Sequence, residues 1–224
     1  MQVSRQHVWN SMMVSLLTTF NNNNNSNLNY DDNNNNNQQN SDRRMMVLKL
    51  VKKTTVYHQP PKGVSYDDNE TVFGQILRGE SPARILDETE HAISFLDIHP
   101  KAPLHGLVIP KKLIGSVFDL TSDDLPLLYE MKAIAESVLR HYDLDAFRKG
   151  NYRLCFHIPP YNSVDHLHLH ILAPLSEMKT FHRKLIYDTS SRRAVDLTDV
   201  LRRLKDGEPA VPYQRPPSLR SVHL

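Results

Sequence analysis

The sequence predicts an α+β domain, an antiparallel five-stranded sheet with one long helix, a short helix before it and a further helix at its C-terminal end. Three observations carry that reading. Short runs of β-favouring residues recur between residues 83 and 172, bounded by charged or Pro-containing turns. The first three lie too close together for crossover helices, which suits an antiparallel meander. One stretch after residue 121 instead repeats its apolar residues at intervals of three and four, the period of a helix.

In chain order, residues 71–78 read as a short helix with Val72, Phe73, Ile76 and Leu77 turned inward and Gly79 as its stop. Strands are expected at 83–87, 92–97 and 105–109. The long helix follows Thr121-Ser122-Asp123-Asp124, whose hydroxyls can cap and whose carboxylates suit the positive end of the helix dipole. Leu125, Leu128, Met131, Ala135, Val138 and Tyr142 form its buried stripe, and Pro126 falls in the first turn, where it is tolerated. Two more strands, 152–157 and 166–172, flank the Pro159-Pro160 turn. Residues 181–187 give no clear element. Leu197, Val200, Leu201 and Leu204 then form an amphipathic helix ending near Gly207.

The rest of the chain reads differently. Residues 21–40 are dominated by asparagine and cannot bury enough apolar surface to offset chain entropy. The expected division is a disordered Asn-rich arm over 1–68, the domain over 69–206 and a Pro-rich tail over 207–224. Lysine plus arginine (27) nearly balances aspartate plus glutamate (25), which gives no reason to expect nucleic acid or an anionic membrane as a partner. The apolar stretch at 12–20 is too short to span a bilayer. Residues 1–30 lack acidic side chains, a weak mitochondrial-targeting signal, but Arg5 is their only arginine. The single cysteine, Cys155, cannot form an intrachain disulfide and reads as core, which points to a reducing compartment, cytoplasm or nucleus.

The chemistry concentrates in His166-Leu167-His168-Leu169-His170. On a strand these three imidazoles share one face and the leucines the other. Crowded imidazoles repel when protonated and lose hydration when covered, so the row asks for an anion or a metal. A metal is the competing reading, since imidazoles two residues apart on a strand can chelate, but no carboxylate stands at chelating spacing. A row of satisfied structural histidines is the other. A phosphate-bearing ligand is favoured, with no metal and no cofactor. His91, His99 and His141 are expected at the surface, as are Lys111 and Lys112 at a strand end.

The segment from Ser163 to Leu172 resembles the signature of the histidine triad superfamily. Val72-Phe73-Gly74-Gln75-Ile76, Phe95-Leu96-Asp97-Ile98-His99-Pro100 and Leu104-His105-Gly106-Leu107-Val108-Ile109-Pro110 resemble its other landmarks in the same order. The likeness covers about residues 71–174 and implies the histidine-triad fold. It further implies His168 as nucleophile, through a nucleotidyl-histidine intermediate, with His166, His170 and the Ser163 hydroxyl supporting catalysis. Asp97, Ile98, His105, His157 and Asn162 are implied to bind the nucleotide. Where many members carry an asparagine and a glycine-rich loop, this chain has Phe156-His157-Ile158-Pro159-Pro160-Tyr161-Asn162. With Leu172-Ala173-Pro174 and the terminal helix, that variant resembles the type 3 branch of histidine triad nucleotide-binding proteins, adenosine 5′-monophosphoramidases. The implied substrates are purine AMP conjugates, and the implied assembly is a homodimer.

Two alternatives stay open at this point. Aprataxin, which removes adenylate from DNA ends, also has a histidine before its triad. Its zinc finger needs cysteine pairs that a chain with one cysteine lacks, although Lys184, Arg192-Arg193 and Arg202-Arg203 could form a basic surface. The second is a nucleotide-binding interaction module with little turnover.

Overall fold

A computed structural model describes residues 54–215. The expectations for the Asn-rich stretch, the 12–20 stretch and the last nine residues lie outside the described residues. The elements are α1 (Val72–Leu77), β1 (Ile85–Glu88), β2 (Ala92–Leu96), β3 (Leu104–Pro110), α2 (Leu125–Tyr142), α3 (Leu144–Arg148), β4 (Arg153–His157), β5 (Leu169–Ala173), β6 (Ala194–Asp196) and α4 (Leu197–Lys205). The strands form one antiparallel sheet in the order β1-β2-β3-β5-β4-β6.

The expected meander is present, but the sheet has six strands rather than five. The extra strand, β6, is three residues long and pairs with the outer side of β4 through Cys155↔Asp196 and His157↔Ala194. Three residues are too few to show a period-two pattern, so its partner defines it. The last predicted strand also starts late, at Leu169 instead of His166. Residues 163–168 are irregular, and Leu167 N–H donates to the Ile114 carbonyl at 2.6 Å rather than to a sheet neighbour.

α2 begins through a short 3-10 turn, Ser122–Asp124, in which Thr121 N–H donates to Asp124 Oδ2 at 3.0 Å and the Thr121 and Asp124 side chains cap each other. Its buried stripe, Leu128, Met131, Ile134, Ala135, Val138, Leu139 and Tyr142, packs across β1, β2, β3 and β5 and against α4. α4 buries Leu197, Val200, Leu201 and Leu204, the four residues the heptad-like spacing selects. On the opposite face α1 covers Ile93, Phe95, Leu107 and Ile109 with Phe73, Ile76 and Leu77. Val72, expected inward, is exposed.

Packing extends beyond the expected domain limits. Val56 and Ala83 exchange backbone hydrogen bonds at 2.9 and 2.8 Å, and Tyr66 joins the α1 core. His58 is buried, bonding the Leu77 carbonyl through Nδ1 (2.7 Å) and Glu88 through Nε2 (2.8 Å). Both ring nitrogens face acceptors; burial pulls its pKa down, but these bonds outweigh it and raise the value above the ordinary one. At the other end Ala210 and Val211 are buried, and Arg215 pairs with Asp119.

Candidate active site

The sheet face under α1 changes character towards β4. Leu107 and Ile109 give way to His105, His170 and His157, which β-pleating places on the same side. His170 stands between Leu107 on β3 and Cys155 on β4. His166 and His168 come instead from the irregular segment before β5, so the shared strand face expected for the triad holds only for His170. Phe73 of α1 meets the rings of His166 and His168 edge-on at 5.7 and 5.4 Å, and the His168 and His170 rings are 4.9 Å apart.

Hydrogen bonds fix which nitrogen of each ring carries a proton. Asn69, 1% exposed, receives Thr71 N–H (3.2 Å) and Thr71 Oγ1–H (2.7 Å) on Oδ1, which turns its Nδ2–H to His166 Nδ1 at 2.8 Å. His166 Nε2 meets the Pro110 carbonyl at 2.9 Å, an acceptor only, so the proton sits on Nε2. The His166 carbonyl accepts Nδ1–H of His168 at 2.7 Å, leaving His168 Nε2 with a bare lone pair. Gly74 permits this arrangement, because a Cβ there would lie 1.9 Å from the Asn69 carbonyl oxygen.

A second chain starts at the Lys101 backbone N–H, which donates to His105 Nδ1 at 3.2 Å. The His105 proton is therefore on Nε2 and points to His170 Nδ1 at 3.0 Å. His170 then carries its proton on Nε2, an atom that is buried without a hydrogen-bond partner among the described residues. An N–H so placed is a ready donor to an incoming oxygen. Asp97, just past β2, accepts His99 N–H on Oδ1 at 2.7 Å and brings Oδ2 to 3.5 Å from His105 Nε2.

Burial keeps these rings neutral near pH 7. It lowers His105, against the pull of Asp97, to about 4. Burial, then the neighbouring His168, lowers His157 to about 4. Burial lowers His166 to about 4 although the Pro110 carbonyl opposes the shift. His168 is lowered by burial too, and burial with the surrounding imidazoles takes His170 well below its ordinary value. A neutral ring with a free Nε2 is the nucleophilic form of histidine.

Two clusters, His157-His168-His170 and Asp97-His105-His170, bring one ligand atom from each member within 4.8 Å of the others. The hydrogen-bond chain argues against both as metal centres. His170 Nε2 is protonated, and freeing either nitrogen for an ion forces a proton onto His105 Nδ1, against the Lys101 amide, which can only donate.

Beside His168 opens a cleft lined by Ser116, Phe156, His157, Asn162, Val164 and His166. Residues 70–186 match the family described as "Scavenger mRNA decapping enzyme C-term binding". The chain is also 37% identical over 143 residues to the adenosine 5′-monophosphoramidase HINT3 of Mus musculus, an alignment covering 63% of this chain and 84% of that relative. The chain belongs to the histidine triad superfamily.

Other similar histidine triad proteins include the HINT3 of Danio rerio, 41% identical over 50% of this chain and 69% of the relative. The bifunctional adenosine 5′-phosphosulfate phosphorylase/adenylylsulfatase HINT4 of Arabidopsis thaliana is 41% identical over 46% of this chain and 68% of the relative. A solved HIT family hydrolase of Legionella pneumophila is 36% identical, with a TM-score of 0.42, over 46% of this chain and 90% of that one.

Within this histidine triad protein the residues singled out from sequence fall into two groups. His105, His157, His166, His168 and His170 converge, with Asp97 against His105 and Asn162 on the cleft wall. Asn162 Nδ2 donates to the Val164 carbonyl (3.2 Å) and to Asp165 (2.9 Å), bracing the loop. Ser163 is exposed in that loop, and Ile98 is 75% exposed beside Asp97. His166 is 0% exposed and bonded at both nitrogens. Lys111 and Lys112 are spent on Glu88 and Asp124.

Sequence reasoning missed Asn69, the Lys101 amide and Tyr187. Tyr187 is buried against His105, His157 and His170 at 5.7, 4.8 and 5.2 Å. Its segment forms a π-turn, His182–Ile186, tied down by Arg153, which donates to the Arg183 and Tyr187 carbonyls. Only the irregular mixture of rings and cations in 181–187 hinted at it.

Proposed function

We propose that this protein is a nucleotide hydrolase that cleaves the phosphorus–nitrogen bond of purine adenosine 5′-monophosphoramidates, with related acyl- or aminoacyl-adenylates as further substrates. The observation that carries the proposal is the bare Nε2 of His168, a ring kept neutral by burial with its proton placed on Nδ1 by the His166 carbonyl, set 4.9 Å, ring to ring, from His170 with its unpartnered Nε2–H. The names of the mouse and zebrafish relatives support the same class of reaction.

In this reading His168 Nε2 attacks the α-phosphorus and a nucleotidyl-histidine forms as the P–N bond breaks. His170 Nε2–H hydrogen-bonds a non-bridging phosphate oxygen as charge develops there. Water then attacks the phosphorus, releasing AMP and restoring His168. Asp97 takes the ribose hydroxyls, and the exposed Ile98 offers an apolar surface to the nucleoside. We extend the proposal to a homodimer, which would cover the sheet edge at β1, and to a reducing compartment, cytoplasm or nucleus.

The test is to trap radiolabelled adenylate on the protein by acid quench and map the label, alongside AMP release from adenosine phosphoramidate. His168→Ala is expected to lose turnover and label while still binding AMP. Wild-type turnover by that variant refutes the nucleophile assignment.

A further inference from the structure

A departing amine needs a proton, because an amide anion is far too basic to leave. The site holds five imidazoles, and their hydrogen bonds decide which can supply it. His168 is the nucleophile. His166 is closed at both nitrogens, by Asn69 and the Pro110 carbonyl. His170 has a proton on Nε2, but giving it up requires a replacement on Nδ1 from His105, and the deficit then passes to His105. There it stops, since His105 Nδ1 faces the Lys101 N–H and cannot be protonated without losing that bond. The pair can hold a hydrogen bond to the substrate, yet it cannot cycle a proton.

His157 differs. Its Nε2–H donates to the Ile186 carbonyl at 3.3 Å, and its Nδ1 has no hydrogen-bond partner among the described residues. Gaining a proton on Nδ1 therefore breaks no existing bond. The ring lines the same cleft as His168, beside Ser116 and Asn162. One nitrogen each from His157, His168 and His170 lies within 4.8 Å of the others. Tyr187 packs on the His157 ring at 4.8 Å, and Arg153 anchors the Tyr187 backbone, so the ring is held in place.

We propose that His157 is the general acid that protonates the departing amine and then the general base that activates the hydrolytic water. The inference rests on the reaction proposed above. The negative phosphate favours a proton on His157 Nδ1, taken from solvent. As His168 Nε2 forms its bond to phosphorus, the P–N pair leaves with the His157 proton as a neutral amine. His157 Nδ1, now bare, takes a proton from water while the resulting hydroxide oxygen bonds to phosphorus and the His168–P bond breaks. AMP departs, His168 Nε2 regains its lone pair, and His157 is again protonated. The net change is water plus phosphoramidate to AMP plus amine. A side-chain amide at this position could hydrogen-bond phosphate but could not carry that proton.

The experiment compares two leaving groups in the first chemical step. Purified full-length wild-type and His157→Asn proteins are mixed with excess adenosine 5′-phosphoramidate of a simple alkylamine, or with the p-nitrophenyl ester of AMP, whose phenolate departs unprotonated. Rapid quench measures nucleotidyl-enzyme formation. His157→Asn is expected to slow the amine substrate by about 10² to 10⁴-fold, the usual range for a lost general acid. The p-nitrophenolate burst should stay within a few-fold of wild type. Equal slowing of both substrates marks His157 as structural and overturns the inference, as does an unchanged rate with the amine. His157→Gln, with a longer amide able to reach the Ile186 carbonyl, repeats the comparison should the asparagine variant melt early. Wild-type protein inert towards both substrates overturns the parent reading, and this inference with it.

Discussion

Acidification from pH 7.5 to 4.5 should unfold this domain through its imidazoles before its carboxylates matter. His105, His157 and His166 sit at about 4 against an ordinary 6.5, because burial penalises their charged form. The unfolded chain therefore takes up protons first. Stability is complete above pH 6.5 and falls as pH drops towards 4. A shift of this size corresponds to about 3 kcal/mol for each ring at 1.36 kcal/mol per pKa unit. Two or three such rings approach the roughly 5–15 kcal/mol that holds a domain together. His58 has the opposite sign: its raised pKa gives stability that is full below 6.5 and lost as pH climbs through the raised value, so it offsets part of the fall. Glu88 and Asp124, held low by their bonds to His58 and Lys112 despite burial, act only below the ordinary carboxylate range. Urea titrations followed by circular dichroism at 222 nm, at one-unit intervals from pH 7.5 to 4.5, measure the trend. A midpoint that stays constant between pH 6.5 and 4.5 refutes the neutral-imidazole description of the site.

Two further outcomes follow from the contacts around the triad. Asn69→Leu removes the donor to His166 Nδ1 but leaves the Pro110 carbonyl facing Nε2, so long-range ¹H–¹⁵N spectra should show His166 keeping its Nε2–H tautomer; a switch to Nδ1–H means that the carbonyl does not set it. Asp97→Ala should weaken AMP binding by about 1.5–3 kcal/mol, the worth of a hydrogen bond to a charged group, and calorimetry showing unchanged affinity removes Asp97 from the nucleoside site.

The helices were the legible part of the fold, since α2 and α4 repeat apolar residues over several turns and each repeat reinforces the last. β6 was illegible for the opposite reason: Ala194, Val195 and Asp196 form a strand only because β4 has a free side. The upstream limit came out late because residues 54–68 are polar and Pro-interrupted, and two anchors, His58 and Tyr66, hold them without any pattern. At the site, the identity of the imidazoles was written in the sequence, but the assumption of one pleated strand misplaced His166 and His168. Proton positions were out of reach altogether. They depend on the Pro110 carbonyl, 56 residues from its partner, and on the Lys101 amide, main-chain groups that leave no signature in the sequence.

The tautomers of His105, His168 and, at one nitrogen, His166 are dictated by main-chain groups: the Lys101 amide and the carbonyls of His166 and Pro110. Main-chain groups survive almost every substitution at their own positions. The vulnerability of this site's wiring is accordingly displaced from composition to shape. A distant change that slides the 97–104 turn or the 163–168 loop by an ångström can disturb the proton placement on His105 and His168, whereas replacing the Lys101 or Pro110 side chain leaves those main-chain groups in place.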